Sequence, residues 1–384
     1  MPIVERTEEE RMILDAVGQI AADYGPTRFA QAGRAGEDTT ELWNNLARAG
    51  FIGITIPEEF GGSGQGVGAL SLVLEETAAR GCPMMNMVAF SVYVTVLIKH
   101  GSEAQKRQWL PGLADGTKRL AFAVTEPNAG TNTHKVQTRA ERTESGWKIS
   151  GSKYYITGLE HASGILVVAK TGEDPVTGRG KLSLFMVPAD APGISKSLIP
   201  TDMRSPDLQY TLFFEDVCVG EDAIVGKEGE GLKMVFSGLN AERIIVASLC
   251  NGLSRYAIDR GAAYARERSV WKAPIGTHQA IAHPLAEAYA RLQSSLLMTQ
   301  RASRIYDAGE DAGEASNIAK LIAADLATFA LDRAIQTHGG NGMAQEYGLA
   351  VLWFIARVQH IAPVSREMTL NYFAQNSLEL GKSY

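Results

Sequence analysis

The chain carries a carboxylate in an unexpected place. Glu242, in the run Leu239-Asn240-Ala241-Glu242-Arg243, falls midway along a long apolar helical pattern. Leu239, Ile244, Ile245 and Val246 flank it and argue against full exposure. A desolvated carboxyl holds its proton more tightly than a solvated one, which suits it to act as a general base near neutral pH. The plainer alternative is an ion-pair partner for Arg243 on a solvated helix face.

Three further runs could hold a ligand. Val124-Thr125-Glu126-Pro127-Asn128-Ala129-Gly130-Thr131-Asn132 follows a strand pattern, and its small hydroxyls, glycine and free backbone donors suit a cofactor's polar edge or a phosphate. Gln336-Thr337-His338-Gly339-Gly340-Asn341-Gly342-Met343 closes a helix, where glycine permits close backbone approach as well as an ordinary helix cap. Arg266 to Ile275 sets arginines beside Trp271 and precedes His278-Gln279, a pairing that can bind phosphate and support a ring. Cys82, Cys218 and Cys250 are widely spaced and odd in number, with neither zinc-type spacing nor a disulfide framework. No GxGxxG after a strand, HExxH or P-loop is present, so nicotinamide, zinc-hydrolase and nucleotide-hydrolase chemistries fall away and no metal site is expected.

The elements that must position these groups read as α, then β, then α. Residues 1 to 118 form an expected helical domain: Glu8 to Ala22, Thr39 to Ala49 with Asp38 or Thr39 as N-cap, Val67 to Arg80, and Met84 to Lys99. Pro57 to Gly66 interrupts them with turn residues. Residues 119 to 231 carry short β-branched and aromatic runs between turns, at Leu120-Val124, Gly146-Ile149, Tyr154-Thr157, Gly164-Lys170, Leu182-Pro188 and Tyr210-Val217, and predict a mostly antiparallel β domain. Residues 232 to 384 repeat helical spacing over Leu232-Ser269, Thr277-Ala308, Ala312-Thr337 and Val351-Glu379, which predicts a four-helix bundle and an α+β fold overall.

Taken together and in this order, the motifs resemble the acyl-CoA dehydrogenase flavoprotein family, over essentially the whole chain from Ile56-Pro57-Glu58-Glu59-Phe60-Gly61-Gly62 to the last helix. Thr125 to Asn132 is similar to the family's first signature, TEPxAGSD, with Thr131 for its serine and Asn132 for its aspartate; Gln336 to Gly342 matches the second. The resemblance implies FAD between the β domain and the bundle, completed by a neighbouring subunit. Phe122, Val124, Thr125, Gly130 and Thr131 would line the flavin and pyrophosphate. Tyr155 would cover one ring face, and Thr157, two residues along on the same strand face, would bond flavin N5. Arg268, Trp271, Gln279, Gln336, Gly339 and Gly340 of the partner chain would meet the pyrophosphate and adenosine, with Ser365 near the adenine end. Thr131, Asn240 and Arg243 would contact substrate, and Pro83 to Val88 aligns with the acyl pocket, where its methionines would either wall the acyl chain or serve as ordinary core packing.

The implied reaction removes the α-proton and β-hydride of an acyl-CoA, giving a trans-2-enoyl-CoA, with electrons passing to an electron-transfer flavoprotein in fatty acid β-oxidation. Most of the family places its base in a YEG motif before the last helix. Here that position is Pro363, within Ile361-Ala362-Pro363-Val364-Ser365. Isovaleryl and long-chain types place the base on the first long C-terminal helix, directly before an arginine, which is the position of Glu242-Arg243. Glu367, a turn beyond Pro363, ranks below it. Proline also lacks the backbone N–H that helps polarise the substrate carbonyl in the family.

A net charge of −6 provides no basic footprint for nucleic acid or an anionic membrane. No apolar run is long enough to span a bilayer, and Met1-Pro2-Ile3-Val4-Glu5-Arg6 lacks a signal pattern, so a cytoplasmic protein is expected, and the family resemblance implies a homodimer or homotetramer. The competing readings are a flavin monooxygenase or oxidase on the same fold and a subunit of a hetero-oligomeric dehydrogenase. Retention of both flavin-binding halves disfavours the latter.

Overall fold

The computed structural model describes residues 4–176 and 178–382. It opens with α1 (Glu8–Tyr24), α2 (Pro26–Ala35), α3 (Thr40–Arg48), α4 (Val67–Ala79), α5 (Asn86–His100) and α6 (Glu103–Ala114). Local chemistry sets several starts. Thr7 and Ser102 form capping boxes with Glu10 and Gln105, and Asp38 accepts from Thr40 N at 2.8 Å. The helices α2 and α6 were not separately expected from periodicity.

The middle of the chain is β1 (Leu120–Ala123), β2 (Arg139–Thr143), β3 (Gly146–Thr157), β4 (Gly164–Glu173), β5 (Gly180–Pro188), β6 (Ile194–Leu198), β7 (Gln209–Gly220) and β8 (Ile224–Val225). They form one eight-stranded sheet in the order β6-β7-β3-β2-β4-β5-β8, with β1 parallel to β4 and most other pairs antiparallel. Two expected strands, Gly146-Ile149 and Tyr154-Thr157, are one. The polar run between them stays in the ladder with β7, through irregularities after Ile149 and Lys153.

The C-terminal part holds α7 (Gly231–Glu267), the small hairpin β9 (Ser269–Val270) and β10 (Ala273–Pro274), α8 (Gln279–Asp307), α9 (Gly313–His338), α10 (Leu349–Val358) and α11 (Arg366–Tyr372). The expected helix Val351–Glu379 is broken. Pro363, after a cis peptide bond, lies in a bend between α10 and α11. A proline there can neither donate an N–H nor continue the ladder.

Helix α7 is central. Ala241 to Ser254 is buried without interruption, because α4, α5, α8 and α9 all pack on it. The approach of α4 requires a glycine: a Cβ on Gly252 would stand 2.1 Å from Glu75 O. Gly252→Ala is therefore expected to cost about 1–3 kcal/mol, by overpacking against backbone that cannot swing aside. Urea unfolding at constant m-value checks it.

Candidate functional site

The centre of α7 places Glu242 and Arg243 side by side, each only 8% exposed. Burial pushes the Glu242 carboxyl up to about 8, against the opposing pull of Arg243 and Lys320. Its Oε2 has no hydrogen-bond partner. Arg243 does not neutralise it: Nη1 donates to Asn240 Oδ1 at 2.8 Å, and Nε has no partner. A buried carboxyl left free of a paired cation can exchange a proton with a third party, which an ion-paired one resists.

The bend after α10 is held to α9. Lys320 of α9, 1% exposed, donates from Nζ to Val364 O at 2.6 Å. Burial draws Lys320 down to about 8. Arg366 clamps α11 to α9 through Asp325, with Nε–Oδ1 and Nη2–Oδ2 both at 3.0 Å. Ser365 caps α11, its Oγ accepting from Met368 N at 3.2 Å, so its hydroxyl serves the helix start. Glu367 is exposed in the first turn of α11. It does not stand a helical turn from Pro363, because the helix begins only at Arg366. Pro363 offers no donor, and among the described residues the Val364 N–H makes no internal hydrogen bond.

The β side is built on an ion pair that the sequence reading overlooked. Lys153, fully buried, donates to Glu126 Oε1 at 2.8 Å and to Val124 O at 3.1 Å. Glu126 also accepts from Gln137 N and Thr138 N, at 2.7 and 3.0 Å. Burial alone would raise the Glu126 carboxyl, but Lys153 and these donors outweigh it and hold the group below its usual range. Paired bonds between Glu126 and Ala129 close the turn that presents Gly130 and Thr131 to solvent. Tyr154 N donates to Thr125 O at 2.8 Å and ties the turn to β3.

Next along β3, Tyr155 has φ 57° and is 52% exposed, its ring 4.4 Å from that of Tyr154. Strand alternation was expected to set Tyr155 and Thr157 on one face. The register shift between Lys153 and Ile156 interrupts that alternation, and the left-handed backbone at Tyr155 itself accompanies its outward exposure. It is not a packed cross-strand aromatic. Thr157 Oγ1 donates to Gln209 Oε1 at 3.0 Å. Phe122 and Val124 are half-buried nearby in sequence on β1 and just beyond it.

The remaining expected ligand residues lie elsewhere. Arg268, Trp271, Gln279, Gln336, Gly339 and Gly340 are all exposed, around the β9–β10 hairpin, the start of α8 and the end of α9. Trp271 is 91% exposed at φ 65°, and Gly339 stands at φ 61°. Along α7, Arg268 is about 39 Å from Glu242 at 1.5 Å per residue. One chain therefore does not unite this group with Glu242, whereas a second chain could. The residues suit FAD. Tyr155 is an uncovered aromatic platform, the exposed arginine and tryptophan offer charge and stacking, and a Cβ on Gly130, Gly339 or Gly340 would meet nothing within 4 Å, leaving the backbone open.

The methionine segment divides. Met84 and Met87 are core residues, while Met85 is half-buried with its sulfur 3.9 Å from Gln359 Nε2. Lys153, Lys320 and Gln209 were not singled out from sequence. The signal for Lys320 was available as a lone lysine inside the apolar pattern of α9. Among the described residues no His, Cys, Asp and Glu cluster could hold a metal, and no helix is long and apolar enough to cross a membrane.

Residues 7–117, 121–217 and 229–378 match the N-terminal, middle and C-terminal domains of acyl-CoA dehydrogenases. The chain is 44% identical over 381 residues to acyl-CoA dehydrogenase FadE12 of Mycobacterium tuberculosis, covering 98% of each. Among solved structures it is similar to butyryl-CoA dehydrogenase from Megasphaera elsdenii, with TM-score 0.90 and 27% identity over 96% of this chain and 97% of that one. It is also similar to PigA in complex with FAD and proline, with TM-score 0.90 and 25% identity over 98% and 99%.

Proposed function

The chain belongs to the acyl-CoA dehydrogenase family, and from that premise we propose that it oxidises an acyl-CoA thioester to the trans-2-enoyl-CoA with Glu242 as the base. The fold and the acyl-CoA dehydrogenase, oxidoreductase activity follow from family membership. The observation that carries the assignment is the Glu242 carboxyl: buried, raised to about 8, and without a partner on Oε2. The Cα–H bond breaks and its electron pair forms the new Cα=Cβ bond. The proton goes to a Glu242 oxygen, and the β-hydrogen leaves as hydride. FAD, when bound, supplies the acceptor for that hydride.

The chain's own residues do the rest. Glu126 and Lys153 fix the turn whose Thr125, Gly130 and Thr131, with Phe122 and Val124, are proposed to line the flavin. Tyr155 is proposed to cover a ring face, and Thr157 to bond N5 by turning its hydroxyl from Gln209. From a second copy, Arg268, Trp271, Gln279, Gln336, Gly339 and Gly340 would hold the pyrophosphate and adenosine, with Ser365 near the adenine. Asn240, Arg243 and Thr131 are the proposed substrate contacts. The placement of Glu242 supports kinship with the isovaleryl and long-chain types.

On the same reading the domains are residues 1–118, 119–231 and 232–384, and the protein works in β-oxidation as a cytoplasmic homodimer or homotetramer. Its electrons pass to an electron-transfer flavoprotein.

The test is anaerobic addition of acyl-CoA thioesters of graded length and branching to the flavin-loaded protein. At least one should bleach the flavin absorbance and yield the enoyl product; bleaching by none rejects the reading. The pH profile should follow the base. Since kcat/KM reports the free enzyme and the carboxylate is the working form, kcat/KM should climb with pH through a limb near 8. A profile flat from pH 6 to 9 contradicts this.

A further inference from the structure

We propose that Arg243 is a second catalytic residue: its Nε–H donates to the thioester carbonyl oxygen while Glu242 takes the neighbouring α-proton. This deepens the substrate contact proposed for Arg243 and rests on Glu242 being the base.

Removing a proton α to a thioester carbonyl pushes charge onto the carbonyl oxygen. Fixed donors aimed at that oxygen lower the barrier, most effectively where water is excluded. Pro363, in the bend before α11, has no N–H to give. Arg243 has one to spare. Among the described residues its Nε is the one arginine or lysine nitrogen that is both buried and without a hydrogen-bond partner. The residue is 8% exposed, so water does not take up the unused proton. Leaving a charged donor unmade in the interior is costly. An oxygen of the substrate would complete it.

The other end of the guanidinium is held in place. Nη1 donates to Asn240 Oδ1 at 2.8 Å. From α9 the Ser316 hydroxyl stands 3.5 Å from the same oxygen, and it donates to Ala312 O at 2.7 Å. Ser316 is fully buried, so this corner is packed. The bond to Asn240 fixes the plane of the guanidinium and, with it, the direction of Nε–H. A donor set beforehand needs no reorganisation as charge develops.

The base is the preceding residue. Glu242 is equally buried, and its Oε2 is likewise without a partner. Consecutive side chains leave a helix about 100° apart and do not face each other. The carboxylate and the guanidinium accordingly make no hydrogen bond to one another, and each keeps an unused atom. The α-carbon and the carbonyl carbon of a thioester are bonded neighbours. A base and a donor that are adjacent but unpaired suit that arrangement.

A cation that only tuned Glu242 would act through protonation of the base, and raising the pH would restore the rate. A carbonyl donor acts on the transition state at every pH. In the flavin-loaded enzyme, Arg243→Met should therefore lower kcat about a hundredfold on the alkaline plateau, within the range for loss of one such donor. KM should change much less, because the bond tightens as charge develops. Arg243→Lys, whose ammonium can still donate, should recover part of the loss. A loss that vanishes at high pH, or no loss at all, in the folded variants overturns the proposal.

If neither variant folds, wild type decides. The Arg243 ¹⁵Nε–¹H resonance is followed as the flavin-loaded protein takes up an enoyl-CoA, and again with the matching S-alkenyl thioether of coenzyme A, which lacks the carbonyl. The resonance should move with the enoyl-CoA alone; an equal response to both, or to neither, overturns the proposal. Full activity of Glu242→Gln would instead reject the base assignment itself. An inactive Glu242→Gln with an unchanged alkaline kcat in Arg243→Met rejects only the role of Arg243.

Discussion

Glu242→Gln is expected to lower kcat about a thousandfold, within the 10²–10⁴ range of a positioned general base, while leaving substrate affinity close to wild type. The amide keeps the size and polarity of the side chain and removes its basicity. A thousandfold loss corresponds to about 4 kcal/mol in the transition state. Stability should move the other way. The Glu242 carboxyl lies at about 8 in the folded protein, against an ordinary value of 4.5. The folded state therefore binds the proton more tightly than the unfolded chain. The corresponding stabilisation is complete below pH 4.5 and is lost as pH rises through 8. Glutamine does not titrate, so relative to wild type the variant should gain melting temperature between pH 5 and pH 8.5. If Glu242 were merely the ion-pair partner of Arg243, its removal would strand a buried guanidinium and lower the melting temperature instead. Melting curves at the two pH values separate these accounts without any substrate.

Lys153→Met should have the largest effect on folding. It leaves Glu126, 6% exposed, without its cation. Breaking a buried pair from one side costs about 3–5 kcal/mol. The two backbone donors at Gln137 and Thr138 remain, which places the expected loss toward the lower end. The turn from Glu126 to Ala129 should loosen with it, so flavin retention through gel filtration should fall as well. Adding Glu126→Gln to Lys153→Met should recover part of the stability, because an amide tolerates the vacated site better than a carboxylate. Denaturant unfolding of the single and double variants checks both signs.

The order of helical, β and helical parts was legible because the hydrophobic period changes near Leu120 and again near Gly231. The ends of individual elements were less so. Gly146 to Thr157 looked like two strands because Ser150, Gly151 and Ser152 are polar or small, yet cross-strand pairing with β7 holds them in one. Val351 to Glu379 looked like one helix because apolar spacing resumes after Pro363; the bend depends on a proline whose effect periodicity does not register. Glu242 was legible as a carboxylate in the wrong company. Lys320 left a sign as the lone lysine in the apolar pattern of α9, but the partners that hold it and Lys153 are distant in sequence, Val364 beyond the end of α10 and Glu126 in the turn after β1. Tyr155 shows the same limit. Its type was readable, but its left-handed backbone was not.

The most direct test of Glu242 as base is proton exchange at the substrate α-carbon. The flavin-loaded protein is incubated anaerobically in D₂O at pH 8 with whichever thioester bleaches it, and deuterium in the recovered thioester is counted by mass. Wild type should incorporate deuterium at Cα, and Glu242→Gln should incorporate no more than a protein-free control. Wild-type exchange rates in Glu242→Gln would contradict the account and place the base on another residue.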